Sequence, residues 1–268
     1  MGKTVGAELT DRFWLWSHQE GAQNVGWGLP RPTRITPTEA AHYLRIPNIL
    51  MVVYGGKPQP PFDQHALAMS SLKRVVWSIV GDSSSKRNDE KTDLDEVLRL
   101  AAKFPNVTGA IMDDFFHALD ASGRAARWRV ADLAGFRERL HAGPRPLDLW
   151  VVLYTHQLDL PVRGHLRECD IATLWTWKAA DLVNLEESFG RFEDVSLGVR
   201  KVLGCYLWDY GTRQPMPLEL FQHQVRLGVE WLRQGRIEGM IFLASCVCDL
   251  ELDTVEWLRR EVSDEIPS

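Results

Sequence analysis

The stretch VTGAIMDDF, residues 107–115, is apolar at nearly every position and closes on two adjacent aspartates. A half-buried strand would alternate apolar and polar residues. Continuous hydrophobicity in so short a run instead marks a strand covered on both faces, which is the signature of a parallel sheet flanked by helices.

Seven more runs share this form: RFWLWSH (12–18), NILMVVYGG (48–56), RVVWSIVGD (74–82), LDLWVVLYTH (147–156), DIATLWTW (170–177), KVLGCYLWDY (201–210) and EGMIFLASC (238–246). Helical patterns lie between them. TPTEAAHYLRI opens with Thr36 as N-cap, Pro37 at the first helical position and Glu39 completing a capping box. TDLDEVLRLAAKF, PLELFQHQVRLGVEWLRQG and LDTVEWLRREV carry apolar residues at helical spacing. Eight strand-helix repeats in this order predict an α/β fold, a (β/α)8 TIM barrel of eight parallel strands with outer helices, as one domain over residues 1–268. An open doubly wound sheet is the alternative, but no G-x-G-x-x-G follows the first strand and no phosphate-loop motif occurs. GDSSSKRNDEKTD (81–93) reads as a mobile loop after the third strand.

Composition narrows the function classes. The chain has 45% hydrophobic and 25% charged residues and a formal net charge of -5, with no basic stripe of the kind that nucleic-acid binding requires. No apolar run is long enough to span a membrane and the N-terminus has no hydrophobic signal core, so a cytoplasmic location without a membrane partner is expected. Cys169, Cys205, Cys246 and Cys248 lack zinc-type spacing and read as free, apolar-packed thiols.

In a barrel, chemistry sits at the carboxyl ends of the strands. There the sequence places His18 and Glu20, Tyr54, Ser78 and Asp82, Asp113, Asp114 and His117, Tyr154 and His156, Trp175, Trp177 and Lys178, Trp208, Asp209 and Tyr210, and Ser245 and Cys246. Two features of this rim point to carbohydrate. Carboxylates end strands 4 and 7, which face each other, so Asp113 or Asp114 could oppose Asp209 and cleave a glycosidic bond by paired acid/base chemistry at about 5 to 9.5 Å. The 11 tryptophans include several at strand ends, where indole faces could stack on sugar rings or simply fill the core. His18, Glu20, Tyr54, His156, Trp175, Trp177, Lys178, Trp208 and Tyr210 are the expected substrate contacts. Adjacent residues of a regular strand point to opposite sides, so only one of the twin aspartates, Asp114, is expected to face the pocket.

The segments IMDDFF, WLWSHQEG and WDYGTRQPMP with EWLRQGRIEGMIF resemble those of an uncharacterised bacterial group of glycoside-hydrolase-like (β/α)8 barrel proteins. More broadly, the carboxylates of strands 4 and 7 are similar to those of the large glycosidase clan with its acid/base on strand 4 and its nucleophile on strand 7. That resemblance implies acid/base work at Asp114 and a nucleophile or base at Asp209, acting on a small-molecule or oligosaccharide substrate without a cofactor. The chain departs from the clan in carrying Asp where Glu is usual and in lacking the Asn-Glu pair of strand 4.

Three other readings remain. A metal-dependent sugar isomerase or epimerase would gather Glu20, Asp114, His156 and Asp209 around a divalent ion. A Schiff-base aldolase would use Lys178, desolvated beside Trp175 and Trp177. A carbohydrate-binding barrel would keep the aromatic mouth without turnover. Arg213 could contact an acidic sugar or pair with a surface carboxylate.

Overall fold

A computed structural model of the chain describes residues 9–264. Eight parallel strands close into a barrel: β1 (Phe13–Ser17), β2 (Asn48–Met51), β3 (Arg74–Val80), β4 (Val107–Met112), β5 (Asp148–Tyr154), β6 (Ile171–Trp175), β7 (Arg200–Tyr206) and β8 (Gly239–Leu243). Each neighbours the next in sequence, and β8 returns to β1 through pairs such as Trp14 with Ile241. All eight apolar runs are strands, as the continuous hydrophobicity requires. The strands stop short of the polar ends of those runs, because there the chain leaves the ladder to build the rim.

Among the described residues each strand is followed by a helix: α1 (Pro37–Leu44), α2 (Asp63–Ala68), α3 (Leu94–Lys103), α4 (Val130–His141), α5 (Arg163–Arg167), α6 (Leu185–Val195), α7 (Leu218–Arg233) and α8 (Asp253–Asp264). The capping box of α1 is formed, with Glu39 N donating to Thr36 Oγ1 at 3.3 Å and Thr36 N donating to Glu39 Oε2 at 2.8 Å. Among the described residues no helix is long and apolar enough to cross a membrane, and all four cysteines are buried free thiols.

Tryptophan fills the barrel axis. On β1, Trp14 and Trp16 share one face by the two-residue period, and each meets a tryptophan of the far side: Trp14 packs on Trp150 at 5.0 Å and Trp16 on Trp175 at 5.3 Å, both edge to face. Such bulk requires small neighbours. A Cβ on Gly109 would lie 3.0 Å from the Trp150 indole nitrogen, and one on Gly204 would lie 2.1 Å from the Trp175 ring. Gly204→Ala is therefore expected to displace Trp175 and destabilise the fold by about 1–3 kcal/mol. Thermal melts should show a fall of about 2–4 °C per kcal/mol. An unchanged melting temperature would mean that the indole has free room.

Candidate functional site

A cavity of about 680 Å³ opens at the carboxyl ends of the strands, within the size range of small-ligand sites. Its wall has two unlike sides. Asp82, at the end of β3, and Asp113 and Asp114, after β4, make one side acidic. Tyr154, Trp175, Trp177, Tyr206 and Tyr210 make the side following β5 to β7 aromatic, joined by Trp27 from the loop after β1. The aromatic side chains brace one another: Trp177 lies 6.0 Å from Tyr154, 5.9 Å from Tyr206 and 6.1 Å from Trp27.

Both twin aspartates line the cavity, against the alternation expected of a regular strand. The reason is local. β4 ends at Met112, and although Asp113 N still donates to Val80 O at 2.9 Å, Asp114 adopts φ +40°. This left-handed conformation costs an L residue about 1–2 kcal/mol, is tolerated best by Asn and Asp, and redirects the side chain. The Asp114 N–H donates to Asp113 Oδ1 at 2.8 Å, locking the pair together. Tyr154 Oη donates to Asp114 Oδ1 at 2.9 Å, and Ser83 N donates to Asp114 Oδ2 at 3.0 Å. Asp114 is thus fixed from two neighbouring strand ends.

Burial together with the negative neighbours Asp114 and Asp82 pushes the Asp113 carboxyl well above the usual carboxylate range, toward its protonated form. Asp82 has a different task. Its oxygens accept from Gly55 N (2.9 Å), Ser85 Oγ (2.5 Å), Ser84 Oγ (2.5 Å) and Ser84 N (3.2 Å), tying the loop after β2 to the loop after β3. The 81–93 segment, read as mobile from its composition, is anchored further by Arg127, which donates to Gly81 O at 2.8 Å and pairs with Asp89 at 2.7 Å.

His18 is buried on the cavity wall, and its partners fix its tautomer. Trp16 Nε1 can only donate, and it reaches His18 Nε2 at 3.2 Å; Val52 O can only accept, and it lies 3.1 Å from His18 Nδ1. The proton therefore sits on Nδ1. Burial lowers the imidazole to about 4, against the raising effects of the Val52 hydrogen bond, Asp82 and Asp114. Both ring nitrogens are occupied, so His18 holds the end of β1 rather than shuttling protons.

Of the remaining residues expected at the site, Tyr54, His156, Trp175, Trp177 and Tyr210 line the cavity. Tyr54 Oη accepts from Trp27 Nε1 at 2.8 Å, Tyr210 Oη donates to Gln23 Oε1 at 2.6 Å, and His156 stacks on Tyr154 at 5.3 Å. Glu20, Lys178, Trp208 and Asp209 do not line it. Glu20 and Lys178 are exposed. The Lys178 stem lies against Gly211, where a Cβ would meet its Cγ at 2.6 Å. Trp208 is buried and donates from Nε1 to Trp27 O at 3.0 Å, supporting the loop after β1 from behind.

Asp209 is spent on its own turn, accepting from Gly211 N (3.0 Å), Thr212 N (3.3 Å) and Thr212 Oγ1 (2.7 Å). This holds the small antiparallel ladder in which Trp208–Asp209 pairs with Gln214–Pro215. The fold therefore brings Asp114 to Tyr154 rather than to Asp209, and it does not gather Glu20, Asp114, His156 and Asp209 into one cluster. Among the described residues no group of three or more His, Cys, Asp or Glu side chains is placed to hold a metal ion.

Trp27 and Tyr206 were not singled out in the sequence. Trp27 had a signal: it stands in GWG within a loop, where a large apolar side chain has no helix or strand face to fill. Its flanking glycines both take positive φ, +93° at Gly26 and +71° at Gly28, and a Cβ on Gly28 would meet Arg213 O at 2.9 Å. Tyr206 is the last residue of β7 and carried no signal beyond its strand-end position.

The closed ring of eight parallel strands with helices around it is a (β/α)8 TIM-barrel architecture, and solved structures share it. The chain is similar to the Bacillus megaterium spore cortex-lytic enzyme SleL, with 11% identity, TM-score 0.57, and coverage of 94% of this chain and 73% of that one. The C-terminal domain of Legionella pneumophila ChiA gives 10% identity, TM-score 0.56, and coverage of 96% and 100%. A tamarind chitinase-like lectin gives 10% identity, TM-score 0.52, and coverage of 94% and 98%. At such identities the likeness is one of fold. No protein-family model and no curated protein matches the sequence.

Proposed function

We propose that the cavity binds a carbohydrate and that the Asp113–Asp114 pair hydrolyses a glycosidic bond in it. The observation that carries this reading is the placement side by side of a buried carboxyl whose hold on its proton is strengthened and a hydrogen-bonded carboxyl, facing a wall of aromatic rings. Sugar rings offer flat C–H faces that stack on Trp and Tyr, while their hydroxyls need polar partners on the other side.

In this reading Asp113 gives its proton to the glycosidic oxygen as the C–O bond breaks. Asp114, held by Tyr154 and Ser83, stabilises the positive charge that develops at the anomeric carbon. Water entering through the mouth attacks that carbon and releases a proton, which restores the pair. Tyr154→Phe leaves Asp114 Oδ1 without its phenol partner. A hydrogen bond to a charged group is worth about 1.5–3 kcal/mol, so turnover should fall by about 10-fold or more with KM little changed. A variant of full activity would remove Tyr154 from the mechanism.

One observation favours a second reading. Asp209 is engaged in its turn, and among the described residues the carboxylates that line the cavity are Asp82, Asp113 and Asp114, all from the ends of β3 and β4, so the pair acts from one side. A barrel that binds glycans without cleaving them fits that geometry, and a lectin shares this architecture. The test is to titrate oligosaccharides against the intrinsic tryptophan fluorescence and to analyse the same mixtures for new reducing ends. Binding with cleavage supports the hydrolase, binding without cleavage supports the lectin-like reading, and no binding by any glycan overturns both.

A further inference from the structure

The charge of the cavity selects among carbohydrates. Three aspartates line it, and among the described residues none of its lining side chains is Lys or Arg. The nearby cations are directed elsewhere. Arg127 turns to Gly81 O and Asp89, Arg87 pairs with Asp93 at 2.6 Å, and Lys178 is exposed along Gly211. Arg213, a candidate for an acidic sugar on sequence grounds, does not line the cavity; its guanidinium sits 5.9 Å from the Trp27 ring centroid.

Of the three histidines on the wall, burial lowers the imidazoles of His18 and His156. His18 is tied at both nitrogens, His117 Nδ1 lies 2.8 Å from Ala118 O, and His156 lies flat on Tyr154. An anionic ligand would meet no Lys or Arg among the described lining residues and would face like charge in a cleft whose low-dielectric walls strengthen the repulsion. A cation would meet the opposite conditions on both sides. It would find carboxyl oxygens along β3 and β4 and the negative faces of Trp and Tyr rings along β5 to β7.

Resting on the carbohydrate reading above, we propose that the cavity takes glycans built of 2-amino-2-deoxy hexose units with free amino groups, and rejects glycans of uronic acids. The ring stacks on the aromatic wall, and the ammonium group at C2 lies toward Asp114 and Asp82.

The test compares tetramers of glucosamine, of N-acetylglucosamine and of galacturonic acid against the full chain, read by tryptophan fluorescence and calorimetry at low and high salt. The glucosamine tetramer should bind at least about 10-fold more tightly than the acetylated tetramer at low salt, and that margin should shrink at high salt as screening grows. Asp114→Asn should narrow the margin without strengthening binding of the acetylated tetramer. Equal or tighter binding of the acetylated tetramer, or any comparable binding of the uronic acid tetramer, overturns the charge selection while leaving the carbohydrate reading intact. Failure of all three to bind, together with failure of neutral glucans and mannans, would instead sink the carbohydrate reading itself.

Discussion

Asp113→Asn is expected to lower glycosidase turnover by about 10²–10⁴-fold, the usual worth of a positioned general acid, while making the protein more stable at neutral pH. The two effects share one cause. Burial and the nearby charges of Asp114 and Asp82 raise the Asp113 carboxyl well above its ordinary value of 3.8, so ionising it inside the fold is unfavourable. Between 3.8 and the raised value the folded state binds more protons than the unfolded one. Stability from this group is complete below 3.8 and is lost as pH rises through the folded value. Asparagine keeps the oxygen that accepts from Asp114 N but has nothing to ionise.

The melting temperature of Asp113→Asn should therefore exceed that of the parent by a margin that grows with pH from about 4 upward and vanishes below. Activity should be lost most on substrates with poor leaving groups and least on activated aryl glycosides, which need no proton. A variant that melts lower than the parent at every pH would show that the carboxyl is not strained. One that hydrolyses natural linkages at the parental rate would remove Asp113 as the acid.

The second large effect has the opposite sign. His18 is held neutral by burial, with its imidazole lowered to about 4 from an ordinary 6.5. Between those values the unfolded chain binds the proton that the folded one refuses. The stability His18 contributes is present above 6.5 and is lost as pH falls toward 4, a change of roughly 3 kcal/mol at about 1.4 kcal/mol per pH unit. His18→Gln should be less stable than the parent at pH 7, having lost the fitted hydrogen bonds to Trp16 and Val52, and because glutamine cannot protonate it should lose less stability on acidification.

Urea unfolding of both proteins at pH 7 and pH 4 gives the difference directly. Parallel losses in parent and variant would mean that His18 titrates normally in the folded state. Together Asp113 and His18 place the stability maximum on a slope from each side, since the interior of this barrel mouth disfavours charge on both.

Much of the fold was legible because its signals are local. Strand covering on both faces needs only that each of eight short runs be apolar throughout, and the α1 capping box needs only Thr36, Pro37 and Glu39 in order. Rim membership followed from strand ends, which is why Tyr54, Asp113, Asp114, Tyr154, Trp175, Trp177 and Tyr210 were named and do line the cavity. Strand ends are also where the two-residue period stops. The inference that only one of Asp113 and Asp114 faces the pocket assumed regular backbone at the point where Asp114 turns to φ +40°.

The sequence by itself determined the closed (β/α)8 barrel and the strand ends that form its mouth, because hydrophobic period and element order are properties of neighbouring residues. The tertiary structure alone decided who meets whom across that mouth. Asp114 found Tyr154 and Ser83, Asp209 turned to Thr212, and Trp27 arrived from a glycine-hinged loop to complete the aromatic wall. The Asp209 turn closes within three residues, but the contacts of Asp114 with Tyr154 and Ser83 and the placement of Trp27 depend on loop conformations and on hydrogen bonds between residues tens to hundreds of positions apart, which no local pattern encodes.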